Sequence, residues 1–241
     1  MVIAEDQIRK ISNSAPNIAR TLQIAIDGPA GAGKSTVAKR VADLLGYLYI
    51  DTGSMYRAAT WLILKMGIEI ADQAAITAAV AKSKIELKPG DAQEKIHVFV
   101  DGYEVTTEIR SPQITKLVSP LSTIAAVREQ LVKQQRKMAA SGGVVLDGRD
   151  IGTVVLPQAN IKIFLTASPE VRAHRRLAEL KANGIEEQYD RLLQDIIERD
   201  NRDSNRQIAP LAMAEDAVLI LSDNMTIDDV VSHIIKLCET D

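Results

Sequence analysis

Residues Asp27 to Thr36 read DGPAGAGKST and carry the spacing G-x-x-x-x-G-K-[ST]. Glycines let a main chain approach an anion closely, and the backbone N–H groups of a loop entering a helix attract phosphate oxygens. Gly28, Pro29, Ala30, Gly31, Ala32, Gly33, Lys34, Ser35 and Thr36 are therefore candidate ligands of a nucleotide polyphosphate. Lys34 would reach the β and γ phosphates, Ser35 would ligate Mg²⁺, and Thr36 reads as a cap or packing residue. A second run, VVLDGRD, ends in Asp147, whose carboxylate could complete the magnesium shell. Gly148 follows it, where ATP-hydrolysing motors place a glutamate that activates water.

Arginine supplies the third signal. Between residues 172 and 206 stand seven arginines (Arg172, Arg175, Arg176, Arg191, Arg199, Arg202 and Arg206) against the single lysine Lys181. Solubility does not distinguish the two residues, but the planar arginine fork binds oxyanions at two points and keeps its proton. Helical spacing puts Arg172, Arg175 and Arg176 on one face, and Arg199, Arg202 and Arg206 on another. The intervening LKANGIEEQ contains an Asn-Gly break, so the segment reads as a helical hairpin closing positive charge over phosphates. Transfer of a phosphoryl group onto another phosphate brings two anions together and needs such cations. It needs no strong base, because an acceptor phosphate with a second pKa of about 6 is already largely ionised.

These groups need a scaffold that gathers them. Apolar runs at 22–26, 47–50, 143–146, 161–165 and 217–221 read as buried parallel strands separated by helical patterns. Asp27, Asp51 and Asp147 then fall at strand carboxyl ends, the edge where open α/β sheets bind ligands. Residues 84–106 read instead as a small antiparallel insert, KIEL, KIHVFV and YEVT, with turns at KPGDAQE and DGY. Its flanks, 72–83 and 111–140, read as helical. The expected fold is α/β, a P-loop kinase with a roughly five-stranded parallel sheet flanked by helices, a small antiparallel β insert and a helical lid. Residues 1–20 form an N-terminal extension, a tail or short capping helix, and 21–241 a single domain. Within it the insert and acceptor-binding subdomain spans about 68–120 and the lid about 170–190.

Composition narrows the function. Lysine and arginine total 29 against 32 acidic residues, a formal charge of −3, and aromatics make up 3%. Neither a broad nucleic-acid footprint nor a base-stacking platform follows from that balance. Cys238 is the single cysteine, and His97, His174 and His233 are far apart, so no thiolate or histidine metal site is expected. No signal peptide or membrane-length apolar run is read, and a cytoplasmic monomer without membrane or nucleic-acid partners is the expectation. Two other readings stand beside phosphate-to-phosphate transfer: a shikimate-type kinase acting on a hydroxyl, and a nucleotide-dependent switch.

The motifs IDGPAGAGKST, YIDTGSMYRAAT, LDGRDIGTVVLP, KIFLTASPEVRAHRR and ERDNRDSNRQIAPL resemble, in order, those of the bacterial cytidylate kinases, nucleoside monophosphate kinases, from about residue 22 to the C-terminus. The resemblance implies transfer of the γ-phosphoryl of ATP, with Mg²⁺, to CMP or dCMP. It implies that Arg57, Arg149 and Arg199 hold the acceptor phosphate, and that Ser119, Arg128, Asp150 and Arg206 read the cytosine. Asp203 would take the sugar hydroxyls, Thr52 would contact the acceptor, and Arg176 and Arg202 would be lid residues. The implied catalytic set is Lys34, Arg149, Arg176, Arg199 and Arg202. Some members carry glycine at the Ser35 position, so its magnesium contact rests on the general loop pattern.

Overall fold

The computed structural model describes residues 21–88, 90, 96–182 and 184–240. The extension expected at 1–20, most of the turn KPGDAQE and Asn183 lie outside these residues. In chain order the elements are β1 (Gln23–Asp27), α1 (Lys34–Leu45), β2 (Leu48–Asp51), α2 (Thr52–Lys65), α3 (Gln73–Lys82), β3 (Ile85–Lys88), β4 (His97–Val100) and β5 (Tyr103–Glu104). They continue with α4 (Pro112–Leu121), α5 (Ala125–Ala139), β6 (Val144–Gly148), β7 (Ile161–Thr166), α6 (Pro169–Ala182), α7 (Tyr189–Ser204), β8 (Val218–Leu221) and α8 (Ile227–Thr240).

Five strands form a parallel sheet in the order β2-β6-β1-β7-β8, and β3-β4-β5 form a separate antiparallel sheet. Alternation along β1 shows why both faces are dry. Ile24 and Ile26 pack with Val37, Val41, Ile163, Leu165 and Ile234 beneath α1 and α8. Ala25 faces the opposite cluster of Ile50, Met55, Leu62, Val127, Leu131 and Leu146. A strand buried on both faces must be apolar along its whole length, which is what the runs in the sequence signalled.

Each of the first three core strands extends past its apolar run, to Asp27, Asp51 and Gly148. Hydropathy records where side chains are buried, whereas strand pairing is a property of the backbone, and it continues one or two residues onto the polar edge. Register then aligns the ends: Asp51 pairs with Asp147, and Asp27 with Gly148. The helix expected over 111–140 is two helices. Pro120 lies in the last turn of α4, the Ser122 hydroxyl donates to the Ser119 carbonyl at 2.8 Å, and Ile124 is extended.

Two local devices aim the sheet's edge. Gly28 has φ +146°, and a Cβ there would stand 1.9 Å from the Leu165 carbonyl oxygen, so only glycine lets the loop leave β1 against β7. The Asp27 carboxylate, 3% exposed, accepts the N–H groups of Ile151 and Gly152, each at 2.7 Å. Those residues open a π-helical turn, Ile151–Val155, directly after the DGRD run. Asp27 therefore ties the phosphate loop's strand to the segment carrying Arg149 and Asp150. No helix among the described residues is long and apolar enough to cross a membrane.

Burial pushes the Asp27 carboxyl up to about 6, and the two backbone donors offset only part of that. A carboxyl raised on folding contributes stability that is full below its unfolded value near 4 and lost as pH rises through 6, by about 3 kcal/mol for such a shift. Asp27→Asn should therefore show a flatter decline of unfolding free energy between pH 4 and 6.5 than the unaltered chain in urea titrations. Identical slopes would refute this account.

Candidate active site

Lys34, the first residue of α1, is buried and donates from Nζ to the Pro29 carbonyl at 2.7 Å, folding the loop around its own cation. Burial, and then the Arg149 charge, hold its ammonium well below the usual lysine range, although Asp147 and Asp27 pull the other way. Ser35 donates from Oγ to Asp147 Oδ2 at 2.8 Å, and the Tyr49 hydroxyl donates to Oδ1 at 2.8 Å. Thr52 Oγ1 donates to the Asp147 carbonyl at 2.7 Å. Burial and then the neighbouring Asp51 raise the Asp147 carboxyl. Hydroxyl and carboxylate oxygens side by side at the mouth of a phosphate loop suit a hard cation whose remaining ligands are phosphate oxygens and water. Thr36 is exposed, and no side chain caps α1, so the structure gives Thr36 no cap or packing role.

Although they share the sheet's edge, the strand-end aspartates differ in function. Asp27 holds the π-helical turn, and Asp51 caps α2 by accepting from the Ser54 N–H at 2.9 Å and its hydroxyl at 2.6 Å. Asp147 alone among them faces Ser35.

Opposite the loop, arginines from α2, α5 and α7 and from the residues just after β6 and α7 converge. Arg149 donates from Nε to Asp203 Oδ2 at 3.0 Å, and Arg206 pairs with the other oxygen of the same buried carboxylate. Arg57, on α2, donates to Thr115 Oγ1 at 2.9 Å and to the Ile109 carbonyl at 3.3 Å, the segment that returns from the antiparallel sheet. Arg128, on α5, pairs with Asp150, and both side chains are buried. Its guanidinium lies 5.5 Å from the ring centre of Tyr56. Burial depresses Arg199 to about 10, the Arg149 charge next in importance, and its guanidinium has no hydrogen-bond or ion-pair partner among the described residues. Arg57, Arg149, Arg199 and Arg206 thus repel one another across a partly dry cleft.

Other candidates stand at the rim of this cluster, where the Arg176 charge still acts on Arg57. Arg176 is exposed and pairs with Glu179 at 2.7 Å. Arg202 is exposed and reaches only the Glu198 carbonyl, at 3.3 Å. With Ser119, Thr123, Asn201, Asn205 and Arg206 it lines a cavity of about 590 Å³ between α4 and α7. The face expected to carry Arg172, Arg175 and Arg176 divides three ways. Arg172 is buried against Asp200, and Arg175 donates to the Ser222 carbonyl at 2.7 Å, so neither presents free charge to the cleft.

Sequence reasoning missed several contributors. Tyr49 reads as one apolar position in a strand, and nothing in YLYI marks its hydroxyl as an Asp147 donor. Tyr56 has a buried hydroxyl without a hydrogen-bond partner among the described residues and lies beneath Arg128. Asp200 was visible only as one acid among many in a charged helix.

A sequence profile described as cytidylate kinase matches residues 24–240. The cytidylate kinase of Desulforamulus reducens is 54% identical over 216 residues, covering 90% of this chain and 96% of that one. The cytidylate kinase of Limosilactobacillus reuteri is 51% identical over 217 residues, covering 90% and 94%. Among solved structures, an uncharacterized protein from Eubacterium ventriosum aligns with a TM-score of 0.50 at 15% identity, covering 92% of this chain and all of that one, a likeness of fold alone. Because the sequence matches run through the loop, the aligned strand ends and both arginine-bearing helices, this chain belongs to the cytidylate kinase family.

Proposed function

We propose that the chain transfers the γ-phosphoryl group of ATP to the phosphate of CMP or dCMP, giving ADP and the corresponding diphosphate. One observation carries this reading: Arg149 and Arg199 disfavour the charge on Lys34, and Arg149, Arg57 and Arg206 disfavour that on Arg199, with Asp203 offsetting only part. Such a concentration of buried cations is costly unless polyanions occupy it, and two phosphate groups approaching in line are polyanions of that kind. An acceptor hydroxyl would call for a positioned base and would leave the arginines without a task.

On this reading the loop amides and Lys34 hold the donor phosphates. Ser35 and Asp147 would hold Mg²⁺, which when bound supplies neutralising charge at the donor phosphates. Arg57, Arg149 and Arg199 take the acceptor phosphate, and Thr52 stands beside them. Arg176, in the lid over about 170–190, and Arg202, on α7 beyond it, would arrive with its closure as lid residues. The segment over about 68–120, with Ser119, forms the acceptor side. Asp203 takes the sugar hydroxyls. A monomer is the working unit on this reading.

The base would be read by Arg128 and Asp150, with Ser119 and Arg206. Cytosine offers an amino donor and two acceptor atoms, so a carboxylate and a guanidinium match it, whereas uracil reverses the polarity at two positions. A site built around a buried ion pair leaves charged groups unmatched with the wrong base.

Two measurements test this reading. ADP formation from ATP and Mg²⁺ should be strong with CMP and dCMP, lower by about 100-fold or more in kcat/KM with UMP, and negligible with shikimate or with no acceptor. Comparable turnover of UMP would remove the base assignment, and acceptor-independent ADP release would remove the whole reading. Arg199→Ala should lower kcat by about 10²- to 10³-fold, the usual cost of deleting one charge-stabilising donor. An unchanged kcat would take Arg199 out of the catalytic set.

A further inference from the structure

Arg199 stands where its own electrostatics oppose it. It has no hydrogen-bond or ion-pair partner among the described residues, and burial with the charges of Arg149, Arg57 and Arg206 disfavours it there, offset only in part by Asp203. Something must fix α7 against that repulsion. One anchor is Asp203, one turn further along, held between Arg149 and Arg206. The other is Asp200, the residue directly after Arg199.

Asp200 is held by Arg172, which is 2% exposed and belongs to α6. Arg172 Nη2 donates to Asp200 Oδ2 at 2.5 Å and Nη1 to Oδ1 at 3.1 Å, a two-point contact. The same guanidinium donates from Nη1 to the Ala30 carbonyl at 3.0 Å and from Nε to the Ala167 carbonyl at 2.9 Å. Ala30 lies within the phosphate loop. Gly31 brings that loop so close that a Cβ there would stand 3.5 Å from the Arg172 Cβ. One planar group therefore touches the donor loop, the end of β7 and the helix of Arg199 at once. A lysine has the charge but not this rigid fork.

We propose that Arg172 and Asp200 are positioning residues for the transfer step, a partly buried strut that fixes the distance from the phosphate loop to α7 and so holds Arg199 over the phosphoryl group in transit. Neither touches the nucleotide. The inference rests on the reading of Arg199 given above. It also gives an account of why Arg172 belongs to no oxyanion-binding face: its donors are consumed inside the protein.

The strut is accessible to chemical rescue. A cavity of about 400 Å³, lined by Pro29, Arg172, Asp200, Ser204 and Leu211 among others, opens beside the pair. A small carboxylate can enter there and take the place of a deleted aspartate side chain. Asp200→Ala should lower kcat by about 10- to 100-fold, the scale of an ångström-sized misplacement of a catalytic group. Its KM for ATP should stay close to the unaltered value, because Arg172 still holds Ala30. Acetate or formate should restore a large part of kcat, whereas chloride at equal ionic strength should not. Asp200→Asn, which keeps one oxygen acceptor and the helix geometry, should fall between Asp200→Ala and the unaltered enzyme, and it carries the test should the alanine variant not fold. Assays run well below each variant's Tm separate positioning from stability. Unaltered kcat in the Asp200 variants, even with a lowered Tm, would overturn the proposal, as would a loss that acetate leaves untouched. Arg199→Ala measured alongside separates the two ideas: if it is fully active, the reading of Arg199 fails, and if it is impaired while Asp200→Ala is not, the strut alone fails.

Discussion

Like-charge repulsion in a partly dry cleft is the constraint around which the site is built. Cations gathered for phosphate recognition repel one another most strongly where water is excluded, and burial weakens each of them further. Lys34, Arg57, Arg199 and Arg206 are all depressed, with burial as the first cause in every case. The fold answers with carboxylates that are themselves buried: Asp203 between Arg149 and Arg206, Asp150 against Arg128, and Asp147 near Lys34. Each carboxylate is acceptable there only because a cation or several donors face it. The acids and bases of the cleft are thus a single mutually dependent set.

Such a set requires backbone held to within a fraction of an ångström, and the parallel sheet supplies it. Three adjacent strands end in register, so Asp27, Asp51 and Asp147 stand along one edge although residues 52–143 separate β2 from β6 in the chain. Two of those acids serve the backbone, fixing the start of α2 and the π-helical turn, and that leaves the third free to face Ser35. Gly28 permits the close passage of the loop against β7, which places Ala30 and Gly31 within reach of Arg172. Sheet register, loop approach and helix position are therefore linked through specific hydrogen bonds rather than through general compactness.

How much of this can be read from the chain depends on the range of the interaction. The phosphate loop, the strands of the sheet and the insert are written locally, in spacing and hydropathy, and the structure agrees with them to within a residue or two at most boundaries. The break at Ser122–Ile124 was not legible, because a proline in a last helical turn is compatible with continuing or stopping until the packing decides. Arginine enrichment was legible as chemistry but not as geometry. Helical spacing places Arg172, Arg175 and Arg176 near one another, yet Arg172 and Arg175 reach segments 28 to 142 residues away, whereas Arg176 pairs with Glu179 on its own helix. Tyr49 is the clearest limit: its ring belongs to an apolar strand, and only the neighbouring strand β6 makes its hydroxyl part of the site.

A final consequence concerns how a nucleotide could enter at all. Stripping a buried charge of its partner costs about 3 to 5 kcal/mol, more than most single ligand contacts return. Here the groups that would meet the nucleotide already have partners of the kind a nucleotide offers. Lys34 is on a carbonyl oxygen, Ser35 is on a carboxylate oxygen, and Arg128 is on Asp150. A phosphate oxygen can replace the Pro29 carbonyl, and a base edge can share the Arg128 and Asp150 pair, without any charge being left bare in between. Arg199 is different: it makes no hydrogen bond or ion pair among the described residues and has only the Asp203 charge to offset its neighbours, so an arriving phosphate would displace no contact from it. On the proposed reading such a cation answers incoming phosphate charge without first giving up a contact, so its attraction opposes the repulsion between two phosphates at the point where they are brought together.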